Sequence, residues 1–119
     1  MSCINKSVNT AVSALDAKAA RDIQVLDVRN LTTITDYFVI ATGGSAINVQ
    51  AICDRVEEDM IKAGEKPLDK EGYDSASWIL LAYNDFIVHI FQGETREFYK
   101  LEHIWKDADE VDISDLLTD

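Results

Sequence analysis

A glycine-rich turn, Gly43-Gly44-Ser45, is the first feature of this sequence that could do chemistry. Backbone N–H groups of such a turn can bind phosphate where a helix begins. Nucleotidyltransferases carry a turn of this kind and place two carboxylates on the next strand to hold magnesium. Here that strand offers only Asp69 and Glu71, and the turn lacks both a P-loop lysine and the third glycine of a dinucleotide-binding fingerprint. A tight turn with a helix cap is therefore favoured, and a magnesium-dependent nucleotidyltransferase is the enzymatic alternative.

The imidazole and thiol groups do not form a recognisable catalytic or metal-binding motif. The chain has two histidines, His89 and His103, and two cysteines, Cys3 and Cys53. A hydrolytic triad needs an activated nucleophile, and no G-x-S-x-G motif supplies one. Closely spaced histidine or cysteine pairs of the kind that bind zinc are also missing from the sequence. We therefore expect no catalytic residue, metal or cofactor, and we expect a reducing compartment.

The charge balance excludes some partners and favours others. Among 119 residues there are 22 acidic and 11 basic side chains, which give a net charge of -11. Contact with DNA needs clustered lysine and arginine side chains, so no direct DNA binding is expected. An acidic surface instead suits a basic partner protein. No apolar run reaches the roughly 18 residues of a membrane span, and no targeting segment is visible, which predicts a cytoplasmic protein without membrane contact.

The segment best suited to recognise a partner is WILLAYNDFIVHIF, residues 78–91. It predicts two strands joined at Asn84-Asp85, with Tyr83 opposite Phe86. One face of this hairpin then carries core-type side chains: Ile79, Leu81, Tyr83, Phe86, Val88 and Ile90. The other face carries a second set: Trp78, Leu80, Ala82, Ile87, His89 and Phe91. Because both faces are apolar, a helix of the chain or a partner must cover the second one.

The rest of the chain predicts an α/β fold around this hairpin. Apolar periodicity predicts helices at residues 7–20, 45–64 and 95–105, and further strands at 23–28, 37–42 and 66–70. Ser45 is a suitable N-cap for the second helix, and Gly64 a suitable end. The expected architecture is a mixed five-stranded sheet with three main helices, too few to cover both of its faces.

The acidic C-terminus is separated from this domain in the predicted organisation. Residues 1–106 form a single α/β domain, and residues 107–119, with six acids and no basic side chain, form an acidic tail. Apolar residues interrupt the acids, so the segment is either mobile or packed on the body. We favour the mobile tail.

Three motifs in this order resemble the ribosomal silencing factor family, which is also called Iojap-like. They are ITDYFVIATG at 34–43, WILLAYNDFIVHIF at 78–91 and REFYKLEHIWKDA at 96–108. The resemblance covers about residues 8–110. It implies a nucleotidyltransferase-like fold without the catalytic carboxylates. It also implies a protein that binds protein fourteen of the large ribosomal subunit, blocks joining of the small subunit by steric occlusion, and represses translation under nutrient limitation.

The resemblance also indicates a contact surface on the hairpin. The predicted partner-binding residues are three hairpin residues and three acids bordering them: Trp78, Leu80, His89, Glu71, Asp74 and Asp85. Asp36 and Arg96, which also match family motifs, could pair inside the fold. The chain departs from the family pattern at Ile47-Asn48, where members often have Arg-His, and at Ala82, where many have an acid. A homodimeric adaptor that self-associates through the hairpin face is the remaining alternative.

Overall fold

The computed structural model describes residues 6–117, except for the side chains of residues 97–99 and 101–102. Its helices are α1 (Lys6–Ala17), α2 (Ala46–Lys62), α3 (Gly93–Tyr99) and α4 (Leu101–Ile104). Its strands are β1 (Arg21–Asp27), β2 (Tyr37–Gly43), β3 (Asp69–Glu71), β4 (Trp78–Ala82), β5 (Phe86–Gln92) and β6 (Asp109–Val111). A 3-10 turn, Ser114–Leu116, follows β6. The predicted α/β class with a mixed sheet is confirmed, with six strands in place of five.

The strands form one sheet in the order β3-β4-β5-β2-β1-β6. The central strands β2 and β5 are parallel, from Tyr37 opposite Phe86 to Gly43 opposite Gln92. The other described pairs are antiparallel. A parallel pair at the centre requires a crossover, and α2 with the β3–β4 segment provides it. The carboxyl ends of β2 and β5 therefore meet at one edge of the sheet.

The hydrophobic core lies between one face of the sheet and the helices α1 and α2. Both helices direct an apolar stripe inward at three- and four-residue spacing. The stripe of α1 is Val8, Ala11, Val12 and Leu15, and that of α2 is Val49, Ile52, Cys53, Val56 and Met60. All seven residues of β2 are buried, as the continuous apolar run predicts for a central strand.

The turn between β2 and α2 brings the strand end unusually close to the helix. A Cβ atom on Gly43 would lie 2.7 Å from Cγ2 of Val49, so glycine is needed for this approach. Ser45 is the N-cap as predicted, and its hydroxyl oxygen accepts a hydrogen bond from the Asn48 N–H at 3.1 Å. Close packing and capping therefore explain this turn.

The chain after β5 differs from the predicted single helix. Lys100 has left-handed backbone angles, φ 46° and ψ 54°, and its N–H donates to the Arg96 carbonyl. Helical hydrogen bonding cannot continue through this conformation, so two short helices form where residues 95–105 predicted one. Within the described residues, no helix has the length and apolar character that crossing a membrane would require.

The described part of the acidic segment, residues 107–117, is not the mobile tail that we favoured from the sequence. Val111 pairs with Val25, which makes β6 an edge strand of the sheet. Ile113 is buried in the core, with Leu116 and Leu117 packed against it. The apolar residues that interrupt the acids attach the segment to the body, because their burial is favourable.

Candidate partner-binding face

The sheet face opposite α1 and α2 is named here the open face. Register places alternate residues of each strand on it. Its central apolar residues are Leu26, Phe38, Ile40, Trp78, Leu80, Ala82, Ile87, His89 and Phe91. The predicted hairpin register is confirmed, from Trp78 opposite Phe91 to Ala82 opposite Ile87. The six core-type residues of the hairpin are buried on the other face, as expected.

Residues that follow α4 cover one part of the open face and leave another part accessible. Trp105, after α4, packs edge-on against Phe38 with ring centroids 5.0 Å apart, and Ala108 joins the same apolar cluster. On the hairpin half of the face, Trp78, Leu80, Ala82 and Ile87 remain partly exposed. We name these four residues the hairpin patch. The hairpin patch is thus an apolar part of the open face that the described residues leave partly accessible.

The Trp78 side chain is fixed by two neighbouring residues of β5. Its indole stacks on the Phe91 ring, with centroids 4.9 Å apart and planes 27° from parallel. Its Nε1–H donates to Nδ1 of His89 at 3.1 Å. A tryptophan side chain fixed in this way would lose little conformational entropy if a partner contacted its exposed part.

His89 lies beneath the hairpin patch and is only 5% exposed. Burial lowers the pKa of its imidazole to about 4, so the ring is neutral at neutral pH. Nδ1 accepts the indole hydrogen, so the ring proton is on Nε2, which has no hydrogen-bond partner among the described residues. The structure thus places this predicted contact residue at the N–H edge of the Trp78 indole, where it can position the ring.

Acidic side chains border the patch on its β3 side. Glu71 is opposite Leu80 and Asp69 is opposite Ala82, so both carboxylates are on the open face. Hydrogen bonding to Asp69 and its charge raise the pKa of Glu71. Asp69 is a border residue that was not predicted from the sequence, although its two-residue spacing from Glu71 was a usable signal. The carboxylate that neighbours Ala82 is that of Asp69 on β3.

The other two predicted border acids are at opposite ends of the hairpin. Asp74 is exposed in the loop that precedes Trp78. Asp85 is exposed in the hairpin turn, about 10 Å from Leu80 along the strands. The carbonyl of Asp85 accepts hydrogen bonds from the N–H groups of Asp36 and Tyr37, at 3.1 and 3.2 Å. The strand register therefore groups Trp78, Leu80, His89 and Glu71, whereas Asp74 and Asp85 lie in the loops at the two ends of the hairpin.

The glycine-rich turn and the β3 carboxylates do not converge. The Gly44 N–H donates to Oδ1 of Asn48 at 2.8 Å, so the turn satisfies its own donor. Gly43 and Glu71 are on strands three positions apart, which separates them by about 14 Å. Within residues 6–117, no group of three or more His, Cys, Asp or Glu side chains is arranged to hold a metal ion. Burial raises the pKa of the Cys53 thiol to about 12, and Cys3 lies outside the described residues.

Arg96 has a structural position at the other edge of the open face. Its Nη1 donates to the Asp22 carbonyl at 2.7 Å and to Oγ1 of Thr42 at 2.8 Å. Its Nη2 donates to Oε1 of Gln24 at 3.0 Å, so this side chain joins α3 to β1 and β2. The sequence allowed a pairing of Arg96 with Asp36, but Asp36 precedes β2 and Thr42 is near its end, about 20 Å away, so the two do not meet.

The fold and this face define an α/β protein in which a partly exposed apolar patch lies beside exposed carboxylates. Comparison with known sequences agrees: the profile of the family described as "Ribosomal silencing factor during starvation" matches residues 2–119. The chain belongs to this family, which confirms the resemblance of its motifs. The family is named for a regulator of ribosomes.

Individual relatives support the assignment over most of the chain. The ribosomal silencing factor of Bacillus subtilis is 37% identical over 103 residues, covering 87% of this chain and 87% of that protein. A mouse protein named "Mitochondrial assembly of ribosomal large subunit protein 1" is 34% identical, covering 82% of this chain and 44% of that protein. A crystal structure of a Chromobacterium violaceum protein is similar in fold, with a TM-score of 0.83 and 30% identity over 85% of this chain and 84% of that one.

Gly72→Ala tests whether the close contact between Gly72 and the start of β4 stabilises the fold. Gly72 has φ +81°, and a Cβ atom there would lie 2.1 Å from the Trp78 carbonyl oxygen. The substitution must displace the start of β4, so we expect a loss of at least about 1 kcal/mol in the free energy of unfolding. Urea denaturation measures this loss. Gly64→Ala, also at positive φ but with open space around the added carbon, is the control for backbone strain alone.

Proposed function

We propose that this protein silences ribosomes by binding the large subunit through the hairpin patch and blocking the small subunit. The observation that carries the proposal is the partly exposed patch of Trp78, Leu80, Ala82 and Ile87, which lies beside the carboxylates of Asp69 and Glu71. Apolar anchors with a charged border are typical of protein–protein contact sites. Membership of the ribosomal silencing factor family supports the large subunit as the target.

The proposed contact is protein fourteen of the large subunit, as the resemblance implies. Ribosomal proteins are mostly basic, and the net charge of -11 on this chain complements them. Complementary charge accelerates association, while the apolar centre slows dissociation. The proposed action takes place where subunits join, which is the cytoplasm in a bacterium.

Steric occlusion of the small subunit requires only that the bound protein fill space at the subunit interface. The molecule extends about 33 × 33 × 30 Å, so an open-face contact places some 30 Å of protein over the interface. A small subunit cannot approach to bonding distance across such a layer. No step of this mechanism needs a chemical reaction.

Glu71→Lys tests the orientation of the open face toward a basic partner. We expect affinity for isolated large subunits to fall about three- to ten-fold at low salt, with a smaller loss at high salt. The measurements are co-sedimentation and the fraction of joined subunits in sucrose gradients. Glu58→Lys is the matched control, since it makes the same charge change on the exposed side of α2.

Three results would contradict parts of the proposal. Equal losses in Glu71→Lys and Glu58→Lys would show that net charge matters and that the open face does not. Failure of the wild type to bind large subunits would refute the proposed function. A mass in solution that doubles with concentration, together with no ribosome binding, would favour the homodimeric adaptor.

A further inference from the structure

The loop of residues 72–77 joins β3 to β4 and lies between the acidic border and Trp78. It is closed by its own backbone, because the Ala76 N–H donates to the Gly72 carbonyl at 2.9 Å. Ala76 is fully buried and has φ +56°, a left-handed conformation that is unfavourable for alanine. Such a conformation persists only where surrounding contacts determine it. The loop therefore has one defined shape.

The first tether of the loop comes from the end of β5. Nε2 of Gln92 donates to the Ala76 carbonyl at 3.1 Å. The backbone N–H of Gln92 donates to the Ser77 carbonyl at 3.0 Å. Gln92 directly follows Phe91, on which Trp78 stacks, so one strand end fixes both the loop and the indole.

The second tether comes from α2, on the other side of the sheet. Nε2 of Gln50 donates to the Tyr73 carbonyl at 2.9 Å. The Tyr73 hydroxyl donates to the Asp54 carboxylate, at 2.9 and 3.1 Å from its two oxygens. The Lys70 ammonium lies 4.4 Å from the centre of the Tyr73 ring. Surface loops are usually mobile. The many contacts that fix the 72–77 loop therefore call for a functional explanation.

We propose that the 72–77 loop is a preorganised part of the docking surface, in which Gln92 and Gln50 are positioning residues and Asp74 contacts the partner. This inference rests on the proposed function. Asp74 and Ser75 are exposed, and the loop that carries them leads directly into Trp78 of the hairpin patch. The group recognised by Asp74 is a lysine or arginine side chain that flanks the apolar residue lying on Trp78. Because the loop is ordered before binding, the contact costs little conformational entropy.

A protein–protein interface of ordinary size also needs more contact area than the hairpin patch provides. Stable interfaces bury about 800 Å² on each partner, which is about 12% of the 6715 Å² surface of this molecule. Four partly exposed side chains cannot supply that area. The loop is the element of the described chain that continues the patch directly from Trp78.

Gln92→Met and Gln50→Met test the two tethers separately. Each keeps the length of the side chain and removes its donor. We expect amide hydrogen exchange of residues 72–77 to accelerate about three- to ten-fold. We expect dissociation from isolated large subunits to accelerate by a similar factor, measured by chasing labelled protein with unlabelled protein. Ser13→Met, a neutral substitution on the exposed side of α1, is the control and should change neither rate.

A double-mutant cycle separates positioning from general stability. Asp74→Asn should weaken binding in the wild type about three- to ten-fold, and clearly less in Gln92→Met, where the carboxylate is no longer held in place. Additive losses in the cycle, or faster exchange with unchanged dissociation, would show that the tethers are structural only. In both cases the binding of the wild type would leave the proposed function intact. Absence of wild-type binding would instead refute the proposed function and this inference with it.

Discussion

Lowering the pH from 6.5 to 4 should remove about 3 kcal/mol from the free energy of unfolding through His89 alone. Burial lowers the pKa of this imidazole from 6.5 to about 4 in the folded chain. Between these values the unfolded chain binds a proton that the folded chain does not, so stability falls as the pH falls. The contribution is fully present above pH 6.5 and is lost by about pH 4.

Carboxyl groups with shifted pKa values do not reproduce this effect. Hydrogen bonds from Arg29 and Ser114 lower the pKa values of Asp27 and Asp112, so these acids lose their stabilising effect only below about pH 4. The pKa of Glu71 is raised by Asp69, so protonation relieves a repulsion as the pH falls. That effect has the opposite sign to the contribution of His89, and water screens it because Glu71 is exposed.

Urea denaturation at several pH values between 7 and 4 measures the effect. His103→Gln leaves His89 as the only imidazole of the chain and should retain the wild-type dependence. His89→Gln should flatten the curve between pH 6.5 and 4, whatever its stability at pH 7. If the wild-type and His89→Gln curves run parallel, the imidazole is not buried as the structure shows.

The residue pairing of the hairpin could be predicted because two local sequence patterns indicate the same register. Apolar alternation fixed which side chains share a face, and the short turn at Asn84-Asp85 fixed the register. The structure pairs Trp78 with Phe91 as that register requires. Residues 78–91 therefore contain the information that sets their own pairing register.

The C-terminal part was less predictable because distant contacts decide it. Residues 95–105 have helical periodicity, but the left-handed Lys100 divides them. The acids after residue 107 suggest a solvated tail, yet Val111 pairs with Val25 in β1. Such a pairing depends on what the rest of the sheet leaves available, and a composition argument does not contain that information.

The sequence predicted which residues lie on the candidate face but not how deeply each of them is buried. Sequence alternation placed Trp78, Leu80 and His89 on one face, and the structure agrees. It could not show that His89 is buried and accepts the indole N–H, because that depends on side-chain packing across the sheet. The assignment of these residues to a partner contact stays a prediction.

Trp78→Ala should weaken binding to isolated large subunits by about 2 kcal/mol or more, a loss of roughly thirty-fold in affinity. Tryptophan at the centre of a contact often dominates its energy, and here the ring is already held by Phe91 and His89. Sedimentation equilibrium or fluorescence titration with large subunits measures the loss. The far-UV and near-UV circular dichroism of the variant must first show an intact fold.

Trp78→Phe separates the two roles of the indole. Phenylalanine retains an aromatic ring over Phe91 but removes the donor to His89, so we expect a binding loss between those of the wild type and Trp78→Ala. Ile61→Ala is the control, because Ile61 is 53% exposed on α2, away from the open face. Exposed apolar area is then lost in both variants, and only the loss at Trp78 should affect binding. A folded Trp78→Ala that binds as tightly as Ile61→Ala would place the contact elsewhere, since Trp78 is the largest side chain of the hairpin patch.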